Sequence, residues 1–96
     1  MNIIVSEFAE IQLMNSSEDT RRRVEHWIDK LKRWESDSYV QQHSKKLDLP
    51  DNTYMLITDT DLRIFFTLEK DTITVFDVAK KSTIMAFSQT SDAGEP

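Results

Sequence analysis

The apolar positions of the chain change their spacing about halfway along it. Between residues 18 and 36 they recur every three or four residues, and one stripe collects Val24, Trp27, Ile28, Leu31 and Trp34. That spacing predicts an amphipathic helix that ends near residues 36–38. From residue 53 onwards, polar turns separate short runs rich in β-branched and aromatic residues, which is typical of strands.

Shorter runs complete the predicted order of elements. Residues 2–6 include three β-branched residues, which predicts a first strand, and residues 7–14 have the apolar spacing of a short helix. Asn15-Ser-Ser17 is predicted to be a break that supplies N-caps for the long helix, and Asn15 with Glu18 fits a capping pattern. Residues 39–49 are predicted to be an irregular connector with room for one helical turn. Four strands are then predicted near residues 53–58, 62–68, 72–78 and 83–88.

This order predicts a single small α+β domain over residues 1–88. Two helices would pack on one face of a mainly antiparallel sheet in the order β-α-α-β-β-β, with an extra strand at the C-terminal end. The chain has 96 residues, 39% of them hydrophobic, which suffices for one modest core. Residues 89–96 are small, polar and acidic and are predicted to be a flexible tail.

One arginine interrupts the apolar run at residues 62–68. Alternation puts the apolar residues of this strand on one face and Arg63 on the other, together with Phe65. A permanently charged side chain here lies either on a solvated sheet face or in a concave site. An ion pair with Asp61 or Glu69 is the alternative to a functional role.

Composition excludes several kinds of chemistry. The chain has no cysteine, so disulfides, thiolate metal sites and thiol catalysis are excluded. Gly94 is the single glycine, which rules out glycine-rich phosphate loops and dinucleotide turns. His26 and His43 are isolated, so we expect no metal and no cofactor. No apolar run approaches the ~18 residues of a membrane span, and the N-terminus does not resemble a signal peptide, so a cytoplasmic protein is expected.

The charge distribution is uneven. The net charge of −5 opposes nonspecific binding to nucleic acid and favours a protein partner. Eight of the twelve Lys and Arg residues lie between Arg21 and Lys46, so a local basic surface remains open. The run Arg21–Arg23 stands among Glu18, Asp19 and Glu25, which predicts a neutralised helix face.

Three stretches of the second half resemble a known family. They are Lys46-Leu47-x-Leu-Pro-Asp-x-x-Tyr54, then Leu62-Arg63-Ile64-Phe65-Phe66, then the strand and turn from Thr72 to Lys81. In their order and spacing, over roughly residues 2–87, the chain resembles the RelE/ParE superfamily of bacterial toxins from type II toxin–antitoxin systems. The resemblance implies the α+β fold above and a cognate antitoxin that covers the active face of the toxin.

The RelE-like branch implies ribosome-dependent mRNA cleavage, with the ribosome and mRNA as further partners. In-line phosphoryl transfer requires positive charge near the phosphate and a proton acceptor for the nucleophile. By the resemblance, Arg63 matches the arginine of the central strand, Lys81 stands where an arginine is usual, and Phe87 stands where RelE has a tyrosine. These three are the predicted catalytic residues. The predicted nucleic-acid-binding residues are Lys45, Lys46 and Lys80.

The departures from the RelE pattern leave open whether the chain is an enzyme. RelE places lysines in the strand after Tyr54, where this chain has Met55-Leu-Ile57, and each lost charge-stabilising group is typically worth ~2–4 kcal/mol. His43 in the connector is one substitute for a general base. Toxins of the ParE-like branch inhibit DNA gyrase and lack the nuclease residues. A site without several of the RelE catalytic residues is compatible with that branch. The alternative is therefore a non-catalytic interaction module or inhibitor that engages a basic partner through its acidic turns.

Overall fold

The structure, a computed structural model, describes residues 1–82. The elements of this part of the chain are β1 (Asn2–Val5), α1 (Glu7–Met14), α2 (Glu18–Leu31), α3 (Ser38–Gln42), β2 (Ser44–Lys46), β3 (Thr53–Ile57), β4 (Leu62–Glu69) and β5 (Thr72–Lys80). The strand predicted at residues 83–88, with Phe87, and the tail predicted at residues 89–96 lie outside the described residues.

The strands form one five-stranded sheet in the order β1-β5-β4-β3-β2. β1 pairs in parallel with β5, whereas the other neighbouring pairs are antiparallel. β1 and β2 are therefore the edges, and the longest strands, β4 and β5, lie inside. The predicted α+β fold with a mainly antiparallel sheet is confirmed.

The core lies between the helices and one face of this sheet. α2 contributes the buried residues of its apolar stripe, and the inner faces of β3, β4 and β5 contribute the alternate residues that the sequence pattern predicts. Burying each such side chain stabilises the fold by ~1.5–3 kcal/mol. The buried apolar residues are Ala9, Val24, Trp27, Leu31, Val40, Leu56, Leu62, Ile64, Phe66, Ile73 and Val75.

The N-cap of α2 comes from the predicted break at residues 15–17, whereas the Asn15 capping pattern and the C-terminal end differ from the prediction. Ser17 is its N-cap, since the Ser17 hydroxyl accepts a hydrogen bond from the Thr20 amide at 3.2 Å. The predicted cap Asn15 instead follows α1 and donates to Ile11 O at 3.1 Å. α2 ends at Leu31, before residues 36–38, and Trp34 lies in the turn that follows. The predicted C-terminal end of the helix was wrong because Trp34 has the spacing of the apolar stripe but lies in the turn after the helix.

Trp34 still belongs to the core. Its ring lies 5.5 Å from that of Tyr54 and 5.7 Å from that of Phe66, and these two rings stack on each other across β3 and β4. Edge-to-face and offset-stacked pairs of this kind stabilise by ~0.5–1.5 kcal/mol beyond their buried area. The turn after α2 is therefore held against the sheet by aromatic contacts.

The predicted connector contains two elements. Asp37 caps α3 by accepting a hydrogen bond from the Val40 amide at 3.1 Å. β2 then pairs with β3, with Lys45 opposite Met55 and Lys46 opposite Tyr54. A strand of sequence Ser-Lys-Lys has no apolar alternation, so the sequence did not predict it. Pairing with the edge of β3 determines its conformation instead.

Replacing Leu56 by alanine tests the one-sided core. Leu56 is fully buried on the helix side of β3, so Leu56→Ala is expected to lower the free energy of unfolding by ~2–5 kcal/mol. The measurement is urea unfolding followed by tryptophan fluorescence. Met55→Ala, one residue away on the other face, serves as the control and should cost clearly less. Equal losses for the two variants would contradict the assignment of faces.

Candidate functional site

The face of the sheet opposite the helices, here called the open face, carries the alternate residues of β2 to β5. Within residues 1–82 no helix covers it, and most of its side chains are half-buried by one another. Functional side chains on such a face are positioned by the backbone of the sheet and so keep a fixed spacing. From β2 to β5 its residues are Lys45, Thr53, Met55, Ile57, Arg63, Phe65, Thr67, Thr74, Phe76 and Asp77.

Arg63 is half-buried and bends towards the turn between β3 and β4. Its Nη1 donates to Thr60 O at 2.9 Å and to Leu62 O at 2.8 Å. Within residues 1–82 it forms no ion pair, so the alternative pairing with Asp61 or Glu69 is not seen. The two carbonyls fix one nitrogen of the guanidinium and leave Nη2 and Nε without a hydrogen bond in the described part of the chain. This arrangement can present donors to an anion.

A buried threonine organises the turn that holds Arg63. The Thr58 hydroxyl donates to Leu62 O at 2.8 Å and accepts from the Thr60 amide at 3.2 Å. Thr58 is only 6% exposed, and its bond to Leu62 O is shielded from water. The turn therefore presents the carbonyls of residues 60 and 62 to the guanidinium in one geometry.

Neighbouring lysines of β2 lie on opposite faces of the sheet. Lys45 is opposite Met55 and so shares the open face with Arg63. Lys46 is opposite Tyr54, whose ring stacks on buried Phe66, so Lys46 lies on the helix side. The structure thus brings one of these two predicted nucleic-acid-binding residues to the face of Arg63.

The lysines at the end of β5 do not gather around Arg63 either. Lys80 is opposite Leu62, and together with Asp19, Arg23 and Asp61 it lines a groove of about 220 Å³ on the helix side. The Lys81 amide donates to Asp61 O at 2.6 Å, which holds Lys81 beside the start of β4 with its side chain exposed. Of the three predicted catalytic residues, Arg63 and Lys81 are described, and Phe87 is not.

His43 is occupied by contacts within α3. Its ring stacks on Tyr39 at 4.1 Å, and its Nδ1 lies 2.8 Å from Tyr39 O. In the described part of the chain, no hydrogen bond or ring contact joins it to Arg63. The structure therefore gives no geometric support for His43 as a general base.

Two of the three arginines at the start of α2 are neutralised by their own helix. Arg22 pairs with Glu18 at 2.7 Å and Arg23 pairs with Asp19 at 2.9 Å. The hydrogen bond and the attraction to Asp19 raise the pKa of Arg23 above its usual value. The predicted neutralised helix face is confirmed for Arg22 and Arg23.

A β-bulge gives the open face one residue, Asp77, that the sequence pattern did not predict there. Phe65 is opposite Asp77 while Phe66 is opposite Val75, so Phe76 is an extra residue in β5. Strict alternation after Val75 would have placed Asp77 on the core side. The bulge puts Phe76 and Asp77 together on the open face, with the rings of Phe65 and Phe76 6.3 Å apart.

Asp77 has an unusual environment for a carboxylate. Its Oδ1 is buried and has no hydrogen-bond partner among residues 1–82. The lone acidic residue in an apolar strand run was the sequence signal that could have identified it. A buried carboxylate oxygen without a donor indicates a position that another group completes.

Other chemistry finds no support in residues 1–82. No group of three or more His, Asp and Glu side chains there could hold a metal ion. None of the described helices is long and apolar enough to cross a membrane.

Two solved structures share this arrangement of helices and sheet. A chain in the crystal structure of the RelB–RelE antitoxin–toxin complex from Methanococcus jannaschii superposes with a TM-score of 0.66 at 18% identity, over 88% of this chain and 96% of that one. The isolated E. coli RelE toxin superposes with a TM-score of 0.63 at 16% identity, over 93% and 97% of the two chains. The chain has the RelE fold. The RelE-like fold that the three sequence stretches imply is therefore confirmed.

The similarity is structural and does not extend to sequence-level matches. No protein-family model matches the sequence, and no curated protein matches it significantly. The RelE fold therefore assigns the architecture, and any activity has to be argued from the open face itself.

Replacing Thr58 by valine tests the support beneath Arg63. Thr58→Val keeps the shape but removes the hydroxyl that bonds Leu62 O and the Thr60 amide, so we expect a loss of ~1–3 kcal/mol in the free energy of unfolding. The measurement is chemical denaturation. Thr72→Val is the control, because the Thr72 hydroxyl contacts only exposed Asp71 at 3.4 Å. A loss no larger than that of the control would contradict the role given to Thr58.

Proposed function

We propose that this protein is the toxin of a type II toxin–antitoxin system and acts on translation by ribosome-dependent cleavage of mRNA. The observation that carries the proposal is the position of Arg63 on the open face of a RelE fold. Its Nη1 is fixed by two carbonyls, and its other guanidinium donors make no hydrogen bond within residues 1–82. The two similar structures are of RelE proteins, one of them isolated and one in complex with the RelB antitoxin.

The proposed chemistry is an internal transfer within the RNA. The 2′-hydroxyl gives its proton to water as its oxygen attacks the adjacent phosphorus, and negative charge develops on the non-bridging oxygens. The bond from phosphorus to the 5′-oxygen breaks, the leaving oxygen takes a proton from water, and the products are a 2′,3′-cyclic phosphate and a 5′-hydroxyl. Arg63 would donate to one of these oxygens from a guanidinium that needs no reorganisation, since the turn carbonyls already orient it. Removing one such donor typically lowers the rate by ~10²–10³-fold.

The remaining predicted residues have supporting roles in this proposal. Lys45 lies at the edge of the open face, where an exposed ammonium can contact the RNA backbone. Lys81 is exposed beside the start of β4 and does not lie around Arg63, so it would add positive charge for the RNA backbone rather than for the scissile phosphate. Lys46 and Lys80 lie on the helix side and are not part of the RNA surface in this proposal. A role for Phe87 as an aromatic residue that contacts a base stays a prediction.

A second candidate function has an observation of its own in its favour. On the open face, Met55 and Ile57 occupy β3, the strand in which the RelE pattern has lysines, and Asp77 adds a negative charge. Such a surface is better suited to a protein partner than to a phosphate backbone. The alternative is a non-catalytic module or inhibitor of this fold, directed at gyrase or another protein.

A cognate antitoxin is the partner that both candidates imply. The half-buried apolar residues of the open face would be covered by it, as would Arg63. This would block the proposed site without any change in the fold of the toxin. The site of action would be the cytoplasm, where ribosomes and mRNA are found.

Growth arrest on induced expression tests the toxin assignment. Wild-type protein is expected to arrest a bacterial host, and Arg63→Ala is expected to relieve the arrest because the phosphate loses its oriented donor. Arg21→Ala removes the same charge from the exposed start of α2 and should arrest growth like the wild type. Arrest by soluble Arg63→Ala at the wild-type level would contradict a role for Arg63, and no arrest by folded wild type would favour the binding module.

The two lysines of β2 provide a matched pair for the RNA surface. Lys45→Ala is expected to weaken binding to ribosome-bound mRNA and to reduce the slope of log affinity against log salt by about 1, as for one lost phosphate contact. Lys46→Ala removes the same charge from an equally exposed residue on the other face of the sheet. The RNA affinity of this variant and its dependence on salt should therefore match the wild type. The measurement is a salt series of equilibrium binding. Equal effects of the two variants would argue against the open face as the RNA surface.

A further inference from the structure

His43 connects α3 to β2, and both its backbone and its ring take part in that junction. It is the C-cap of α3, where its amide nitrogen and its Nδ1 donate to Tyr39 O at 3.1 and 2.8 Å. Tyr39 O can only accept, so Nδ1 carries a proton. His43 O in turn accepts a hydrogen bond from the Ile57 amide of β3 at 2.8 Å. One residue therefore ends the helix and begins the pairing with β3.

The ring of His43 lies at one end of a column of three aromatic rings. It stacks on Tyr39 with ring centroids 4.1 Å apart and planes 28° from parallel, and Tyr39 stacks on Trp27 at 6.0 Å and 18°. Trp27 is only 5% exposed and belongs to the core. Lys30 Nζ lies 5.5 Å from the centre of the Tyr39 ring, which is a favourable cation–π arrangement. The column therefore ties the junction before β2 to the core.

β2 needs support from outside its own three residues. It is an edge strand, and none of Ser44, Lys45 and Lys46 contributes a buried side chain to the core. Ser44 Oγ donates to Val40 O at 2.7 Å, which ties the start of the strand to α3. A short edge strand with exposed side chains is among the parts of a fold that open most easily. Its order therefore depends on backbone pairing with β3 and on the contacts of the residue before it.

Lys45 follows His43 by two residues and lies opposite Met55, at the edge of the open face. Its ammonium keeps a fixed place beside an RNA backbone only while β2 is paired, because an unpaired segment would spread the lysine over many positions. The ring contacts of His43 favour the paired state. They therefore also hold Lys45 in place.

We propose that His43 is a positioning residue for RNA binding, because its stack on Tyr39 holds β2 against β3 and thereby holds Lys45 at the edge of the open face. This inference deepens the proposed function and rests on it for the identity of the ligand, which is RNA. His43 acts through its ring and its contacts with α3 and exchanges no proton with the RNA. The sequence interpretation of His43 as a general base is replaced by a role that its observed contacts can perform.

Two replacements of His43 separate the ring from the proton. His43→Phe keeps an aromatic ring for the stack and removes both nitrogens, whereas His43→Ala removes the ring as well. Equilibrium binding to ribosome-bound mRNA at physiological salt is expected to be about 3- to 10-fold weaker for His43→Ala and close to wild type for His43→Phe. Cleavage of mRNA by His43→Phe should keep the rate and the pH dependence of the wild type, whereas loss of a general base would change both.

A double-mutant cycle with Lys45 shows whether the effect of His43 on RNA binding passes through that lysine. In the Lys45→Ala background, His43→Ala is expected to weaken RNA binding by no more than about 2-fold, because the contact that it positions is already absent. His26→Ala is the matched control. His26 is exposed on α2 and contacts Trp27 edge to face, with ring centres 5.8 Å apart, outside the column. This variant should bind RNA as the wild type does.

Hydrogen exchange of backbone amides tests the support of β2 without RNA. The Ile57 amide donates to His43 O and the Leu47 amide donates to Thr53 O, both at 2.8 Å, so the two amides report on the two ends of the pairing between β2 and β3. Relative to the amides of β4, both are expected to exchange about 3- to 10-fold faster in His43→Ala. In His43→Phe and His26→Ala they should exchange as in the wild type. Circular dichroism establishes that each variant is folded.

Three results would overturn the inference. They are unchanged exchange of both amides in His43→Ala, a loss of RNA binding in His43→Phe as large as that in His43→Ala, or an undiminished effect of His43→Ala in the Lys45→Ala background. Failure of the proposed function gives a different pattern. Folded wild type that binds no RNA, with amide exchange as expected, would refute the proposed action on RNA and leave His43 as the support of β2. RNA binding by the wild type with unchanged exchange in His43→Ala would do the reverse.

Discussion

The packing of α2 against one face of the sheet is the contact on which the positions of the functional side chains depend. Val24, Trp27 and Leu31 bury the helix side of β3, β4 and β5 in a single cluster. Because side chains alternate along a strand, burial of Ile64 and Phe66 requires Arg63 and Phe65 to lie on the opposite face. A slip of one residue in β4 would move a charged guanidinium into the core and expose two apolar side chains. The core and the open face are therefore determined by the same register.

The bulge in β5 is the one irregularity that changes the chemistry of that open face. With Phe76 inserted opposite the step between Phe65 and Phe66, the core side of β5 keeps Ile73, Val75 and Val78, and Asp77 stays out of the core. The same insertion places an aromatic ring and a carboxylate next to each other on the open face. A local departure from pairing thus keeps a carboxylate out of the core and places it on the open face.

The sequence predicts the parts of the fold that a buried apolar pattern specifies. The stripe of α2 and the alternation in β4 were assigned correctly because tertiary burial and local periodicity agree there. β2 and the early end of α2 were missed because pairing with β3 and the aromatic contacts of Trp34 determine them, and neither leaves a periodic signal. For the candidate site, the face of Arg63 was predictable from alternation. The opposite faces of Lys45 and Lys46 depend on the register of an unpredicted strand, and the position of Asp77 depends on the bulge.

Mapping RNA ends in a reconstituted translation reaction tests most directly the claim that this RelE fold acts through Arg63 on its open face. Primer extension on a defined mRNA would be compared for wild type and Arg63→Ala, with and without ribosomes. New 5′ ends within the coding sequence are expected only for wild type and only when ribosomes are present. Intact mRNA with folded wild-type protein that nevertheless arrests growth would contradict mRNA cleavage, and the open face would then be a surface for binding another protein.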